Sequence, residues 1–308
     1  MNVRPVPFAL LLGALAACGG SPSSTGSGDG RFRIVPTDAT HQDRPDLVFA
    51  HRDAAAATAA AAYRKNGRTG IRFVGIGGGA DGSKLVADGL LDATVERPTG
   101  AVAAIDMALL ACHGLTPPRR LAVGTRVLTK ATLAAGGRQI VSPADFVLEN
   151  LRRQHADVLT TQPKTDNILQ IAAVVADPAL RDALIAAAKR YPQVALEMRA
   201  TVQESLAKDY PAVVFALADA AATADACKAA KAKNARVVIV GAEPADAEFL
   251  CSVGADEQQL GEAAGALAKE LLGEAGGAIV ELPDAADAAA TRARHEGFVK
   301  ALGLAQKP

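Results

Sequence analysis

The chain has 308 residues, half of them hydrophobic and only 4% aromatic, with 33 Lys plus Arg set against 33 Asp plus Glu. That length accommodates two domains of ordinary size, and the apolar content suffices for substantial cores. Zero net charge excludes the basic field that nucleic-acid partners require, and the scarcity of rings leaves few platforms for stacking a sugar or a base.

The first residues read as an address. Met1–Arg4 is basic, and Phe8–Ala17 is an apolar run of signal-peptide length, too short to span a bilayer. Leu15-Ala16-Ala17-Cys18 resembles the lipobox of bacterial lipoproteins. On that reading residues 1–17 are removed, Cys18 is lipidated, and residues 18–31 tether the protein to a membrane on its periplasmic or outer face. A cleaved secretory signal with an incidental cysteine is the alternative. Export puts Cys112, Cys227 and Cys251 in an oxidising compartment; Cys227 with Cys251 is the better-placed pair, and three free thiols is the other reading. No metal-ligand spacing occurs, and the histidines are scattered singly.

Phe32–Val35 and Asp46–His51 read as strands, and the alanine run Ala54–Lys65 as a helix stopped by Asn66-Gly67. Ile71–Ile76 is a buried strand. It leads into a glycine turn (Gly77–Gly82), a short helix (Ser83–Leu91) and a strand, Ala93–Glu96, before Pro98. Gly77, Gly79 and Gly82 satisfy G-x-G-x-x-G with Glu96 about 20 residues on, so an NAD-dependent oxidoreductase is one reading of this stretch. Against it, the helix is short for a crossover after a pyrophosphate loop, and no activated Ser, Cys or His accompanies the turn. Export also removes the usual supply of diffusible dinucleotide. The expectation is a non-enzyme without cofactor or metal.

Ala101–His113 is a helix and Leu121–Leu128 a strand. Composition then shifts over residues 130–166, which carry Gly136-Gly137, Pro143 and one helix (Asp145–His155) and read as a connector. A second series follows. Its strands are Ile168–Val175, Val194–Met198, Ala212–Leu217, Arg236–Val240 and Ala278–Leu282; its helices are Pro178–Lys189, Ala221–Lys231, Gln258–Leu272 (opened by Asp256) and Asp287–Leu302. Short apolar strands alternating with helices predict an α/β protein with two doubly wound parallel-sheet lobes.

From Val194 onward the chain resembles type I periplasmic substrate-binding proteins, the ribose/galactose-like group that feeds ABC transporters. The residues that carry the likeness are CSVGADEQQLGEAAGALAKELLG (Cys251–Gly273), AIVELP (Ala278–Pro283) and RARHEGFVKALG (Arg292–Gly303). DLVFAHRDAAA, FVGIGG and DGLLDATVERPTG, all within Asp46–Gly100, resemble the family's later part. The order is inverted relative to the family, as in a circular permutation, with residues 130–166 joining the ends that the family leaves free; a long connector closes at little entropic cost. The lobes implied are 32–120 with 287–308, and 121–129 with 167–283.

The resemblance implies a hinged, monomeric binder of one small solute, held by loops at the carboxyl ends of strands between the lobes. Its partner is an ABC permease or, alternatively, a membrane receptor kinase; contact with the membrane is through the lipid anchor only. Carried over position by position, the family's binding positions fall on Arg52, Asp53, Gly77, Arg97, the loop holding Asp177, Gly241-Ala242 and Arg294, several of them departures from the family's residue types; Asp177, Glu243 and Asp256 are further cleft candidates. Gly77 replaces an aspartate, and Arg52 and Arg97 replace neutral residues, so an anionic solute such as a sugar acid or phosphorylated compound is expected if Arg52, Arg97 and Arg294 converge. Otherwise these arginines face solvent or pair with Glu96, Asp177 or Glu243. Asp177 and Asp256 also suit helix capping, and His51 and His295 suit structural hydrogen bonds.

Overall fold

A computed structural model describes residues 31–35, 44–140, 143–159, 168–241, 243–285 and 287–304. The expected signal segment, residues 18–30 of the expected tether and Cys18, the expected lipidation site, lie outside the described residues. The chain divides into two compact units: unit 1 takes residues up to Arg97, Thr125–Ile140 and everything from Glu257, and unit 2 takes Pro98–Gly124 and Val141–Asp256.

Unit 1 is built on a seven-stranded sheet. Its strands lie in the order β1 (Phe32–Val35), β13 (Gly277–Leu282), β2 (Leu47–Ala50), β3 (Arg72–Gly77), β4 (Ala93–Glu96), β6 (Thr125–Thr129) and β7 (Arg138–Ile140). The first five are parallel, and β6 and β7 add an antiparallel edge. β2 is buried at every position, as a strand covered on both faces must be. Helix α1 (Asp53–Lys65) is mostly alanine, the strongest helix former, with Asp53 in its first turn and Arg64 and Lys65 in its last, where each sign suits the helix dipole. Its Ala56 and Ala60 pack on Val48, Ala50 and Phe73. Helices α2 (Gly79–Ala87), α8 (Glu257–Leu272) and α9 (Ala288–Leu302) complete the unit, with α8 lying on β2, β3 and β4.

Unit 2 has a six-stranded, wholly parallel sheet in the order β5 (Arg120–Val123), β12 (Cys251–Ala255), β11 (Val237–Val240), β10 (Ala212–Ala216), β8 (Leu169–Val175) and β9 (Val194–Met198). Its helices are α3 (Ala101–Cys112), α4 (Pro143–Gln154), α5 (Pro178–Ala188), α6 (Val202–Ser205) and α7 (Ala220–Lys231). Strand residues alternate between two cores. Val238, Val214 and Ile171 join Cys251 on the α3 face, while Val237, Val213 and Ala172 join Cys227 on the other. Cys227 and Cys251 are thus separated by the sheet and cannot bridge. Both are free, as is Cys112, and burial pushes the three thiols up to about 11 (Cys112 and Cys227) and about 12 (Cys251).

Within unit 2 the strands β9-β8-β10-β11-β12 follow the doubly wound order 2-1-3-4-5. Unit 1 follows the same order only when counting starts at β13 and continues through β1, β2, β3 and β4.

Several boundaries differ from the sequence reading. β13 and α8 belong to unit 1, and α3 belongs to unit 2. Leu121–Leu128 is two strands, β5 and β6, in different sheets, broken at Gly124, where a Cβ would collide with the Asp145 carboxylate. Among the connector's described residues, the expected helix is α4, which packs Leu148 and Leu151 on the unit 2 core, and β7, not expected from the sequence, extends the unit 1 sheet. The local apolar pattern of a buried strand is the same in either sheet, so it carries no address.

Candidate functional site

Five of the predicted residues lie in unit 1: Arg52, Asp53, Gly77 and Arg97 at the carboxyl ends of β2, β3 and β4, and Arg294 on α9. The glycine turn is explained by one of them. Asp53 does not cap α1, whose N-cap Arg52 has no side-chain cap bond; its buried carboxylate instead accepts from the Gly78 N–H at 2.7 Å and the Thr94 hydroxyl at 2.6 Å. Burial holds the Asp53 carboxyl above its ordinary range, opposed by those two hydrogen bonds. A Cβ at Gly75, Gly77 or Gly82 would collide with this carboxylate, and one at Gly78, where φ is +69°, would lie 2.6 Å from the Glu96 backbone.

Asp53 therefore holds the first N–H of the loop that a pyrophosphate would need, and Glu96 faces Arg126 at 3.8 Å. The glycines make room for a carboxylate of the chain itself. Asp53→Ala is expected to cost about 2 kcal/mol in urea unfolding, because it strands the buried Thr94 hydroxyl and leaves the Gly78 N–H only its longer bond to Thr94 Oγ1 at 3.2 Å. An unchanged midpoint would show the turn to be self-supporting.

The three arginines meet carboxylates 232, 160 and 37 residues away, none of them a partner named from the sequence. Arg97 donates Nε and Nη2 to Glu257 Oε1 at 3.0 and 2.8 Å, and Arg294 donates Nε to Glu257 Oε2 at 2.7 Å. Two guanidinium groups thus share one carboxylate. Arg294 is buried, and its Nη1 also donates to the His51 carbonyl at 3.1 Å. Arg52 donates Nε to Asp284 Oδ2 at 2.5 Å. Arg52 and Arg97 keep 62% and 47% of their side chains exposed, so their remaining N–H groups reach solvent.

Beside this network, Glu281 of β13 receives both predicted histidines: His51 Nε2 at Oε1 and His295 Nδ1 at Oε2, each at 2.7 Å. Burial alone would raise the Glu281 carboxyl, but the two imidazole hydrogen bonds outweigh it and hold it at about 2. Glu257, Glu281 and Asp284 are the residues that sequence reasoning missed. Glu281 left a trace, a carboxylate inside the apolar strand AIVEL; Glu257 and Asp284 left none.

Asp177 and Glu243 lie in unit 2. Asp177 caps α5, accepting from Ala179 N at 3.0 Å, and Glu243 pairs with Arg120 at 2.7 Å. Among the described residues, no group of three or more His, Cys, Asp or Glu side chains is arranged to hold a metal ion.

The family model for the periplasmic binding protein domain matches residues 176–307, less than half of the chain. That match supports a type I periplasmic binding protein, consistent with the two parallel-sheet regions, and with it an extracytoplasmic location and the binding of small, sugar-like solutes. Proteins of this family are generally not enzymes and deliver solutes to membrane permeases. No curated protein matches the sequence.

Proposed function

We propose that this protein is a lipid-anchored extracytoplasmic solute-binding protein. It is held at the membrane through Cys18 and delivers one small polar solute to an ABC-type permease. Presentation of the solute-bound form to a membrane receptor kinase is the alternative use of the same capture. The observation that carries the reading is the charged cluster at the carboxyl edge of the unit 1 sheet, in a chain whose residues 176–307 match a periplasmic binding domain. Carboxyl edges are where open α/β sheets bind ligands. A circularly permuted order is part of the proposal, and the 2-1-3-4-5 order of unit 1, counted from β13, supports it.

Arg52 and Arg97 are the contact residues of this reading, Arg294 fixes Glu257 behind Arg97, and Asp53 with Gly77 shapes the loop. Because Glu257 and Asp284 already neutralise the arginines, a neutral, hydroxyl-rich solute fits best: each hydroxyl can accept from a guanidinium and donate to a carboxylate. A sugar acid or phosphorylated solute would have to displace one of these carboxylates. A thermal-shift screen across sugars, polyols, sugar acids and phosphorylated compounds tests the reading, since a ligand that binds only the folded state raises the melting point by mass action. A screen without any hit would sink solute capture. With a hit in hand, Arg97→Glu is expected to weaken binding by about tenfold or more, as it sets a carboxylate against Glu257. Unchanged affinity would remove Arg97 from the site.

A further inference from the structure

The two imidazoles on Glu281 sit where the candidate loop begins. His51 is 1% exposed, its ring lies 5.0 Å from that of Phe49, and Phe49 stacks on Phe298 of α9. Its Nε2–H serves Glu281, while its Nδ1 is buried without a hydrogen-bond partner, so the ring is shut off from water. His51 is therefore the fixed half of the arrangement. His295, on α9, is 39% exposed, so water reaches it and it is the half that exchanges its proton.

The backbone on either side of His51 is tied to the same elements. Its N–H donates to the Leu282 carbonyl of β13 at 3.0 Å, and its carbonyl receives Arg294. Arg52, the next residue, is paired with Asp284, just beyond β13. The charged groups that act on His295 are Glu281 from β13 and its helix neighbour Glu296; Arg292 lies one turn before it on α9, and the nearby ion pairs are Arg294–Glu257, to α8, and Arg52–Asp284. Arg294 is committed to Glu257 and Arg52 to Asp284, so protonated His295 is the cation that balances Glu281.

We propose that His51, Glu281 and His295 form a proton-controlled latch that fixes the loop bearing Arg52 and Asp53 when His295 is charged and frees it when His295 is neutral. The use of the latch, pH-dependent solute capture, rests on the binding function proposed above; the latch itself does not. The direction follows from the geometry and its electrostatics. The hydrogen bond to Glu281 and the charges of Glu281 and Glu296 outweigh burial and raise the His295 pKa above its ordinary value. A histidine with a raised folded-state pKa contributes stability that is complete below its unfolded pKa, about 6.5, and is lost as pH climbs through the higher folded value.

Backbone amide hydrogen exchange on the full chain, without any solute, reads the latch. After correction for intrinsic rates, protection of residues 47–53 is expected to fall about tenfold between about pH 6 and about pH 9. His295→Gln, which keeps a donor but no charge, is expected to give the low protection at both values. His295→Lys, charged throughout, is expected to keep the high protection at both. A flat profile in the parent protein overturns the latch, as does a His295→Gln profile that still falls with pH. Should either variant fail to fold, the parent profile alone decides. A failed solute screen leaves this measurement unaffected, and a flat exchange profile leaves the solute screen unaffected.

Discussion

Replacing Gly297 by alanine is expected to destabilise unit 1 by about 3 kcal/mol, near the upper end of what overpacking usually costs. The reason is the contact between α8 and α9, which is made backbone to backbone. A Cβ at Gly297 would collide with the Gln258 carbonyl oxygen and lie 2.9 Å from the Glu262 nitrogen; one at Gly261 would collide with the Arg294 carbonyl oxygen and lie 2.7 Å from its carbon. Gly265 is similar, 2.7 Å from Ala301 Cβ and 2.8 Å from the Phe298 oxygen. No rotamer can relieve a clash with helix backbone, so the helices must part, and Phe298 and Leu302 lose packing with them. At this domain size the cost corresponds to roughly 6–12 °C of melting temperature. Since Gly261 lies against Arg294 itself, Gly261→Ala should in addition pull that guanidinium off Glu257 and the His51 carbonyl. Parent-like melting of both variants would show that α8 and α9 separate without penalty.

Asp106 is the second position with a large expected effect. It is wholly buried on α3, a helix otherwise apolar on nearly every side, and its two oxygens are fully employed. Tyr191 donates its hydroxyl to Oδ1, and Arg152 donates Nε and Nη2 to Oδ2 at 2.9 and 2.7 Å. Arg152 belongs to α4, so this carboxylate anchors the connector helix to the core of unit 2. Asp106→Ala strands the Tyr191 hydroxyl, and Arg152→Ala leaves a buried carboxylate without its countercharge; each is expected to cost about 3 kcal/mol in chemical denaturation. The double variant should cost about as much as either single change, because the residues act as a unit. Additive losses would show that Asp106 and Arg152 contribute independently and do not anchor α4 as a pair.

Most strands and helices were legible along the sequence, because buried parallel strands and amphipathic or alanine-rich helices leave distinct periods. Asp53 and the glycine turn were also legible as neighbours of a ligand-binding edge, although not their mutual contact: the loop glycines resembled a phosphate cradle because both designs need bare backbone. Membership of a sheet was not legible. β5 and β6 read as one strand, since nothing in LAVGTRVL says that its halves diverge at Gly124. The arginines were visible as residue types, but Glu257 and Asp284 were not their visible partners, because a salt bridge spanning 160 or 232 residues depends on tertiary fold rather than local pattern. The expectation of an anionic solute rested on counting the arginines without those carboxylates.

The place of β13 bears on when unit 1 can assemble. Residues 277–282 lie between β1 and β2, and those two strands meet through no other element of the sheet. As the chain emerges, β1 and β2 wait for a centrepiece made after every strand of unit 2, whereas β8 to β12 of unit 2 come out as one consecutive run. Unit 2 can thus form its sheet core while unit 1 is still unfinished, and a chain cut short before residue 277 leaves two unpaired strand edges where a native neighbour belongs.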